Sequence, residues 1–140
     1  MNGEFILDNA SSTLNGQGLR FIVATAGNVT SAVSVNNVLT LNAWNHVAAV
    51  FSNGTMKIYV DGVEVVTGSA SFLNIATSTS TFTLTLGEDY SLGAAEFFNG
   101  KLDEVRVWTT ARTASELATN KHACLVAVSY THLTLPTNRE

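Results

Sequence analysis

The acidic residues of this sequence lack the spacing that hydrolysis of a glycosidic bond requires. That chemistry needs two facing carboxyl groups, about 5–5.5 Å apart for retention of configuration or about 6.5–9.5 Å apart for inversion. Asp103 and Glu104 are adjacent, so on a regular strand their side chains point to opposite faces of the sheet. We therefore expect no catalytic pair there.

Nucleophilic chemistry finds little support either. Cys124 lies in a C-terminal segment of different composition, and His46 is the only histidine before residue 122. No G-x-S-x-G motif occurs, so the strained turn that exposes a catalytic serine is not predicted. We interpret His46 as a packed or surface residue, and the sequence predicts a protein that is not an enzyme.

Aromatic and polar side chains on a long loop, residues 87–100, are the best candidates for ligand binding. Sugar sites combine aromatic faces, which stack on ring C–H groups, with a few fixed hydrogen-bonding groups. Long loops of this kind are where sites usually lie. The predicted ligand-binding residues are Asp89, Tyr90, Phe97 and Asn99, with Phe98 beside them. A second group comprises Trp44, His46 and Tyr59, although both tryptophans, Trp44 and Trp108, are expected to pack in the core or at its rim.

Composition excludes several classes of partner. The chain has 140 residues, is 46% hydrophobic and carries a net charge of −4 with only 7 Lys and Arg. One domain with a sizeable core is therefore expected, and nucleic acid is not an expected partner. No apolar run reaches the roughly 20 residues of a membrane span, so membrane insertion is not predicted. One cysteine and many Thr, Ser, Asn and Gly residues are typical of extracellular β-domains without disulfides.

Two dipeptides, Asn53-Gly54 and Asp61-Gly62, predict tight hairpins. Both central residues of a type I′ turn need positive φ, which Asn, Asp and Gly tolerate best. Counting outward from Asn53-Gly54 pairs Phe51 with Met56, Ala49 with Ile58 and Val47 with Val60, which places six apolar side chains on one face. Counting from Asp61-Gly62 pairs Val60 with Val63 and Ile58 with Val65, and predicts a three-stranded meander without a register slip.

Further elements surround this meander. Strands are predicted at 19–23 and 32–35, joined by a hairpin at 26–28, and at 81–86, where apolar and threonine residues alternate. A strand is also expected over 101–108, with a bulge near Asp103 or Glu104 because Leu102 is out of phase with Val105. Thr113 and Glu116 have the spacing of a capping box, which predicts a short helix over 114–119.

The end of the chain differs from the rest. The only proline, the only cysteine and two of the three histidines lie beyond the predicted helix. Residues 128–138 also resemble a translated sequencing-adaptor tail that recurs on unrelated metagenomic reading frames. We therefore assign the domain to residues 1–124 and exclude 125–140 from functional reasoning; the alternative is a genuine terminal strand over 125–135.

Several motifs in order resemble one family. They are Trp44-Asn-His-Val-Ala, Met56-Lys-Ile-Tyr-Val-Asp-Gly62, Leu84-Thr-Leu-Gly87, Phe98-Asn-Gly-Lys-Leu-Asp-Glu-Val-Arg-Val-Trp108 and Ala111-Arg-Thr-Ala-Ser-Glu-Leu117. This order resembles laminin-G-like domains of the concanavalin A-like lectin/glucanase superfamily, and pentraxins share much of it. The resemblance covers 19–117. It implies an all-β, antiparallel two-sheet jelly-roll sandwich with one short C-terminal helix, and an N-terminal truncation, because relatives have further strands ahead of residue 19.

The resemblance also implies a function. Relatives often hold a calcium ion at the rim through the Asp before the Val-Arg-Val run, which corresponds to Asp103, and Ca²⁺ takes 6–8 oxygen ligands. The superfamily's hydrolases carry an E-x-D-x-x-E run, which does not occur here. We therefore expect a non-catalytic module that binds a glycan or an extracellular protein, as part of a larger secreted or cell-surface protein. The alternative is a ligand-free spacer domain.

Overall fold

The computed structural model describes residues 5–9, 16–25, 29–75, 84–89 and 96–123. Two three-stranded antiparallel sheets form the body. The first contains β1 (Phe5–Asp8), β2 (Leu19–Ala24) and β3 (Thr30–Val35), and the second contains β4 (Val47–Ser52), β5 (Thr55–Val60) and β6 (Val63–Ser69), each in chain order. A small ladder joins β7 (Glu88–Asp89) to β8 (Glu96–Phe97), and α1 spans Ala114–Asn120.

The two sheets pack face to face around one apolar core. Leu19, Phe21, Val23 and Val33 of the first sheet lie against Met56, Ile58 and Val60 of the second. Val23, Met56 and Ile58 are fully buried. This arrangement confirms the predicted all-β sandwich with one short helix.

The first predicted hairpin is confirmed in register and in turn type. Phe51 pairs with Met56, Ala49 with Ile58 and Val47 with Val60. Asn53 and Gly54 have φ of 46° and 77°. The turn dipeptide therefore set the pairing of β4 with β5, and the apolar face it defined packs against the core.

The second hairpin departs from the predicted register after two pairs. Val60 pairs with Val63 and Tyr59 with Glu64, but Ile58 pairs with Val66 rather than with Val65. Val65 is an extra residue on β6, a β-bulge. Because both Val65 and Val66 pack against the core cluster, the bulge lets two consecutive valines bury apolar surface.

The described residues of two predicted strands are not in strand conformation. Residues 84–86 and 101–108 belong to no strand, and the 81–83 part of the first prediction lies outside the described residues. Leu84, Leu86, Val105 and Val107 are all more than half exposed. Alternation marks a sequence that fits a pleated surface, but a strand also needs a neighbour for its main-chain groups, and the described residues supply none here. Glu104 has φ of +50°, near the predicted bulge.

The capping-box helix is confirmed. Thr113 Oγ1 accepts a hydrogen bond from Glu116 N at 3.2 Å, and Glu116 Oε2 accepts one from Thr113 N at 2.8 Å. The hairpin at 26–28 is supported by the pairing of β2 with β3, although the turn itself lies outside the described residues. The tail from residue 124 onward, including the alternative terminal strand, also lies outside them.

Candidate functional site

A groove of about 540 Å³ opens beside the loop that leads into β4. Two segments line the groove and are called its walls, residues 39–45 and residues 98–101, and Asn9 and Gly16 line it as well. We call it the Trp44 groove, because the Trp44 side chain is 68% exposed there. Of the two expected positions for Trp44, the core and its rim, the core is therefore wrong. In this conformation most of the indole surface is accessible to a ligand.

The loop that carries Trp44 is held by side-chain amides. Asn45 Oδ1 accepts a hydrogen bond from Thr40 N at 2.9 Å, while Asn45 Nδ2 donates to Thr40 O at 2.9 Å and to Ala43 O at 3.0 Å. Gln17 Nε2 donates to Leu39 O at 3.2 Å, and Gln17 O accepts from both Val38 N and Leu39 N. These bonds close the loop from both ends. Trp44 is therefore displayed by a braced loop.

The opposite wall contributes a second aromatic ring. Phe98 is 42% exposed, and Phe98 N donates to Gly87 O at 2.9 Å next to the β7–β8 ladder. A Cβ on Gly100 would lie 2.5 Å from Phe98 Cε1. Glycine at position 100 therefore lets the phenyl ring lie directly against the main chain of this wall.

Free amide groups accompany the two rings. Asn9, Asn42 and Asn99 line the groove, and their side chains make no hydrogen bond with any described residue. Asn42 has φ of +58°, the left-handed conformation that asparagine tolerates well. A carboxamide offers donors and an acceptor together. The groove thus combines aromatic surface with unpaired hydrogen-bonding groups.

A laminin G family model, described as the concanavalin A-like lectin/glucanases superfamily, matches residues 2–118. The chain belongs to this superfamily.

A solved structure has a fold similar to that of this chain. It is the crystal structure of an S-layer domain-containing protein from Clostridium thermocellum ATCC 27405, with a TM-score of 0.51 and 19% sequence identity. The match covers 74% of this chain and 51% of that one, so the chain corresponds to about half of the solved structure. No curated protein matches.

The sequence-predicted binding residues are distributed unevenly around this superfamily domain. Asn99 lines the Trp44 groove, whereas Phe97 is 73% exposed in β8 and lies outside the lining. Asp89 is in β7, paired with Glu96. Tyr90 lies outside the described residues. Of the four predicted residues, Asn99 therefore lines the groove; Trp44 was named in the second predicted group, and residues 39–43 were not predicted.

The second predicted group is not one site. Tyr59 is 3% exposed, and its hydroxyl lies 3.4 Å from Glu64 Oε2. His46 is half-buried and exchanges two hydrogen bonds with Asp61: His46 N donates to Asp61 Oδ1 at 3.1 Å, and Asp61 N donates to His46 O at 2.8 Å. Tyr59 and His46 therefore make contacts within the meander, whereas Trp44 lines the groove.

The predicted calcium ligand, Asp103, is exposed, and its Oδ1 accepts a hydrogen bond from Glu104 N at 2.8 Å. The Glu104 carboxylate pairs with Arg106 at 2.8 Å. Among the described residues, no group of three His, Cys, Asp or Glu side chains is arranged to hold a metal. Calcium binding at Asp103 stays a prediction of the resemblance.

Asp8 is committed to a structural role. Arg20 Nε and Nη2 donate to its two carboxylate oxygens at 3.1 and 2.6 Å across the β1–β2 pair. This bidentate pair fixes the edge strand β1 beside β2.

The only described helix has 7 residues, and no helix in the described part of the chain is long and apolar enough to cross a membrane.

Proposed function

We propose that this domain is a non-catalytic module that binds carbohydrate in the Trp44 groove. The observation that carries the proposal is the braced, 68% exposed Trp44 side chain beside unpaired amide groups. An exposed tryptophan forfeits the burial that large aromatic side chains usually obtain. A loop that holds it in the open favours a role in recognition.

The groove's composition fits a sugar ring. The indole of Trp44 and the phenyl of Phe98 present apolar faces to ring C–H groups, while Asn42 and Asn99 can exchange hydrogen bonds with hydroxyl groups. Because the loop is already braced by Asn45, little ordering accompanies binding, which favours affinity. Glycans are therefore the ligand class we favour over a protein surface.

The lining also supports binding rather than hydrolysis. Among the described residues along the groove there is no Asp or Glu, so no general acid or base faces a bound sugar there. Glycoside hydrolysis relies on such a pair in most families. The sequence likewise lacks the E-x-D-x-x-E run of the superfamily's hydrolases.

We place this module in a larger secreted or cell-surface protein, where other domains of the parent accompany it. The fold similarity to an S-layer domain-containing protein supports that setting. The net charge of −4 makes nucleic acid an unsuitable partner. The ligand is then a glycan that the parent protein encounters outside the cell.

The test is a glycan array followed by titration of the best ligand, with Trp44→Ala as the variant. We expect binding to weaken at least tenfold, about 1.4 kcal/mol, because buried tryptophans dominate such contacts. Trp108→Phe is the control, since Trp108 lies outside the lining and its ring stacks on Arg112 at 4.1 Å.

Three results would contradict the proposal. Binding that survives Trp44→Ala but is lost in Phe97→Ala would move the site to the long loop. Binding of an extracellular protein alone would replace the ligand class. No binding to either by a folded domain would favour the spacer role.

A further inference from the structure

One cation in the described part of the chain has no partner, and it lies in the Trp44 groove. Lys101 is exposed on the wall next to Asn99. It forms no ion pair or hydrogen bond with any described residue. The other described Lys and Arg side chains are all engaged: Arg20 with Asp8, Lys57 with Glu64, Arg106 with Glu104, Arg112 with Glu116, and Lys121 with Asp61 O.

The electrostatic setting of Lys101 is unusual for this chain. Acidic residues outnumber basic ones 11 to 7 over the whole sequence. Along the groove, however, Lys101 is the one charged side chain that the structure describes, and no described acidic residue lines the groove beside it. A local positive charge thus faces the ligand space of an otherwise acidic domain.

We propose that the groove selects acidic saccharides, and that the Lys101 ammonium group pairs with a carboxylate of the sugar, as in a uronic acid. This inference rests on the proposed function, because it assigns the ligand class of the same site. In this arrangement Trp44 stacks on the ring, and Lys101 reads its charged substituent. An ammonium group donates up to three hydrogen bonds, so a carboxylate satisfies it better than a neutral hydroxymethyl group does.

The solvent exposure of Lys101 sets the expected size of the preference for acidic over neutral sugars. A solvent-exposed ion pair contributes at most about 1 kcal/mol, so the acidic sugar is expected to bind about fivefold more tightly than its neutral counterpart. Trp44 stacking contributes to both ligands alike. The ratio of the two affinities therefore isolates Lys101, whereas their common level reports on the groove.

The experiment uses acidic oligosaccharides built from galacturonate, glucuronate or mannuronate, each beside its carboxyl-reduced neutral form. Affinities are measured for the wild-type chain and for Lys101→Met, Lys101→Arg and Lys57→Met. Lys57→Met is the matched control, because it removes the same charge from β5, outside the groove. We expect the fivefold ratio to fall to about one in Lys101→Met and to persist in Lys101→Arg and Lys57→Met.

The failures are distinguishable. Equal affinity for acidic and neutral forms, lost in Trp44→Ala, would overturn this inference and leave the binding function intact. A preference for the acidic form that survives Lys101→Met would overturn the inference by placing charge recognition elsewhere. If no member of either series binds, and the glycan array also finds no ligand, the proposed function fails and this inference fails with it.

Discussion

The Asn45 side chain bonds both main-chain groups of Thr40, accepting from its N–H and donating to its C=O, each at 2.9 Å. Together with the bond to Ala43 O, this closes a loop whose exposed residue is Trp44. The ring's position therefore depends on its neighbour's amide rather than on burial of the ring itself.

Asn45→Ala is expected to free the Trp44 loop. Net stability should fall by about 1 kcal/mol, because exposed hydrogen bonds contribute modestly. Fluorescence anisotropy of Trp44, measured in a Trp108→Phe background, should decay faster, and ligand affinity should fall. An unchanged decay would show that Gln17 and its contacts suffice to hold the loop.

Gly62→Ala is expected to destabilise the domain by about 2–4 kcal/mol, measured by chemical denaturation. Gly62 has φ of +85°, and an added Cβ would lie 2.8 Å from Ala118 Cα, so strain and a clash with α1 add together. Gly16→Ala separates the two effects. Gly16 has φ of +68° with nothing within 4 Å of the added Cβ, and should cost only about 1 kcal/mol. Equal losses would show that α1 moves aside freely.

His46 should make stability fall as the pH is lowered below about 6.5. Burial lowers the pKa of His46; Asp61 opposes this, while the positive charges of Lys121, Arg106 and His122 reinforce it. Its Nδ1 atom is buried without a hydrogen-bond partner among the described residues, so the protonated ring would bury an unpaired donor. The unfolded chain therefore binds the proton more readily, and stability is lost as the pH falls from the ordinary histidine pKa of 6.5 toward the lowered pKa of His46.

The measurement is the melting temperature between about pH 7.5 and about pH 5. His46→Gln should flatten the fall, while His122→Gln, at an exposed position, should keep most of it. Glu116 affects stability over a different, lower pH range. Hydrogen bonds from Thr113 lower the pKa of Glu116, so the stability that Glu116 contributes is lost only at pH values below the ordinary glutamate pKa of 4.5. If the melting temperature of His46→Gln falls with pH as steeply as that of the wild type, the loss of stability does not come from His46.

The calcium prediction rests on the resemblance and is tested by thermal unfolding with calcium and with chelator. An ion that binds only the folded state adds about 2.7 kcal/mol at a hundredfold excess over Kd. If Asp103 is a ligand, Asp103→Ala should abolish that rise, whereas Asp89→Ala should not. A well-folded domain with no calcium-dependent shift would contradict the prediction.

The sequence predicted the features that depend on residues only a few positions apart. Asn53-Gly54 set the β4–β5 register because type I′ geometry restricts which residues occupy the turn. Thr113 and Glu116 set the start of α1 because both capping bonds lie within one helical turn. Asn99, a ligand-binding candidate because of its position on a polar loop, lines the Trp44 groove, and its role in binding stays a prediction.

The features that depend on contacts between distant parts of the chain were not predicted from the sequence. The bulge at Val65 shifts the register of β6 two pairs beyond the Asp61-Gly62 turn. The turn dipeptide fixes only the pairs next to it, so it does not predict this shift. The alternation at 81–86 and the apolar residues of 101–108 predicted strands, yet residues 84–86 and 101–108 lie in none, because strand formation needs a partner that a sequence pattern does not supply. Trp44 was expected to pack in the core or at its rim, yet the loop that the Asn45 amide closes leaves it 68% exposed.

The sequence by itself determined the hairpin turns, the capped helix, the superfamily and the acidic net charge, because each depends on residue type and short spacing. Only the tertiary structure brought Trp44 and Lys101, 57 positions apart in the sequence, to one groove. It also left Lys101 without a partner while the other described cations found theirs. Such proximity follows from the packing of whole sheets and loops, which no local pattern of residues specifies.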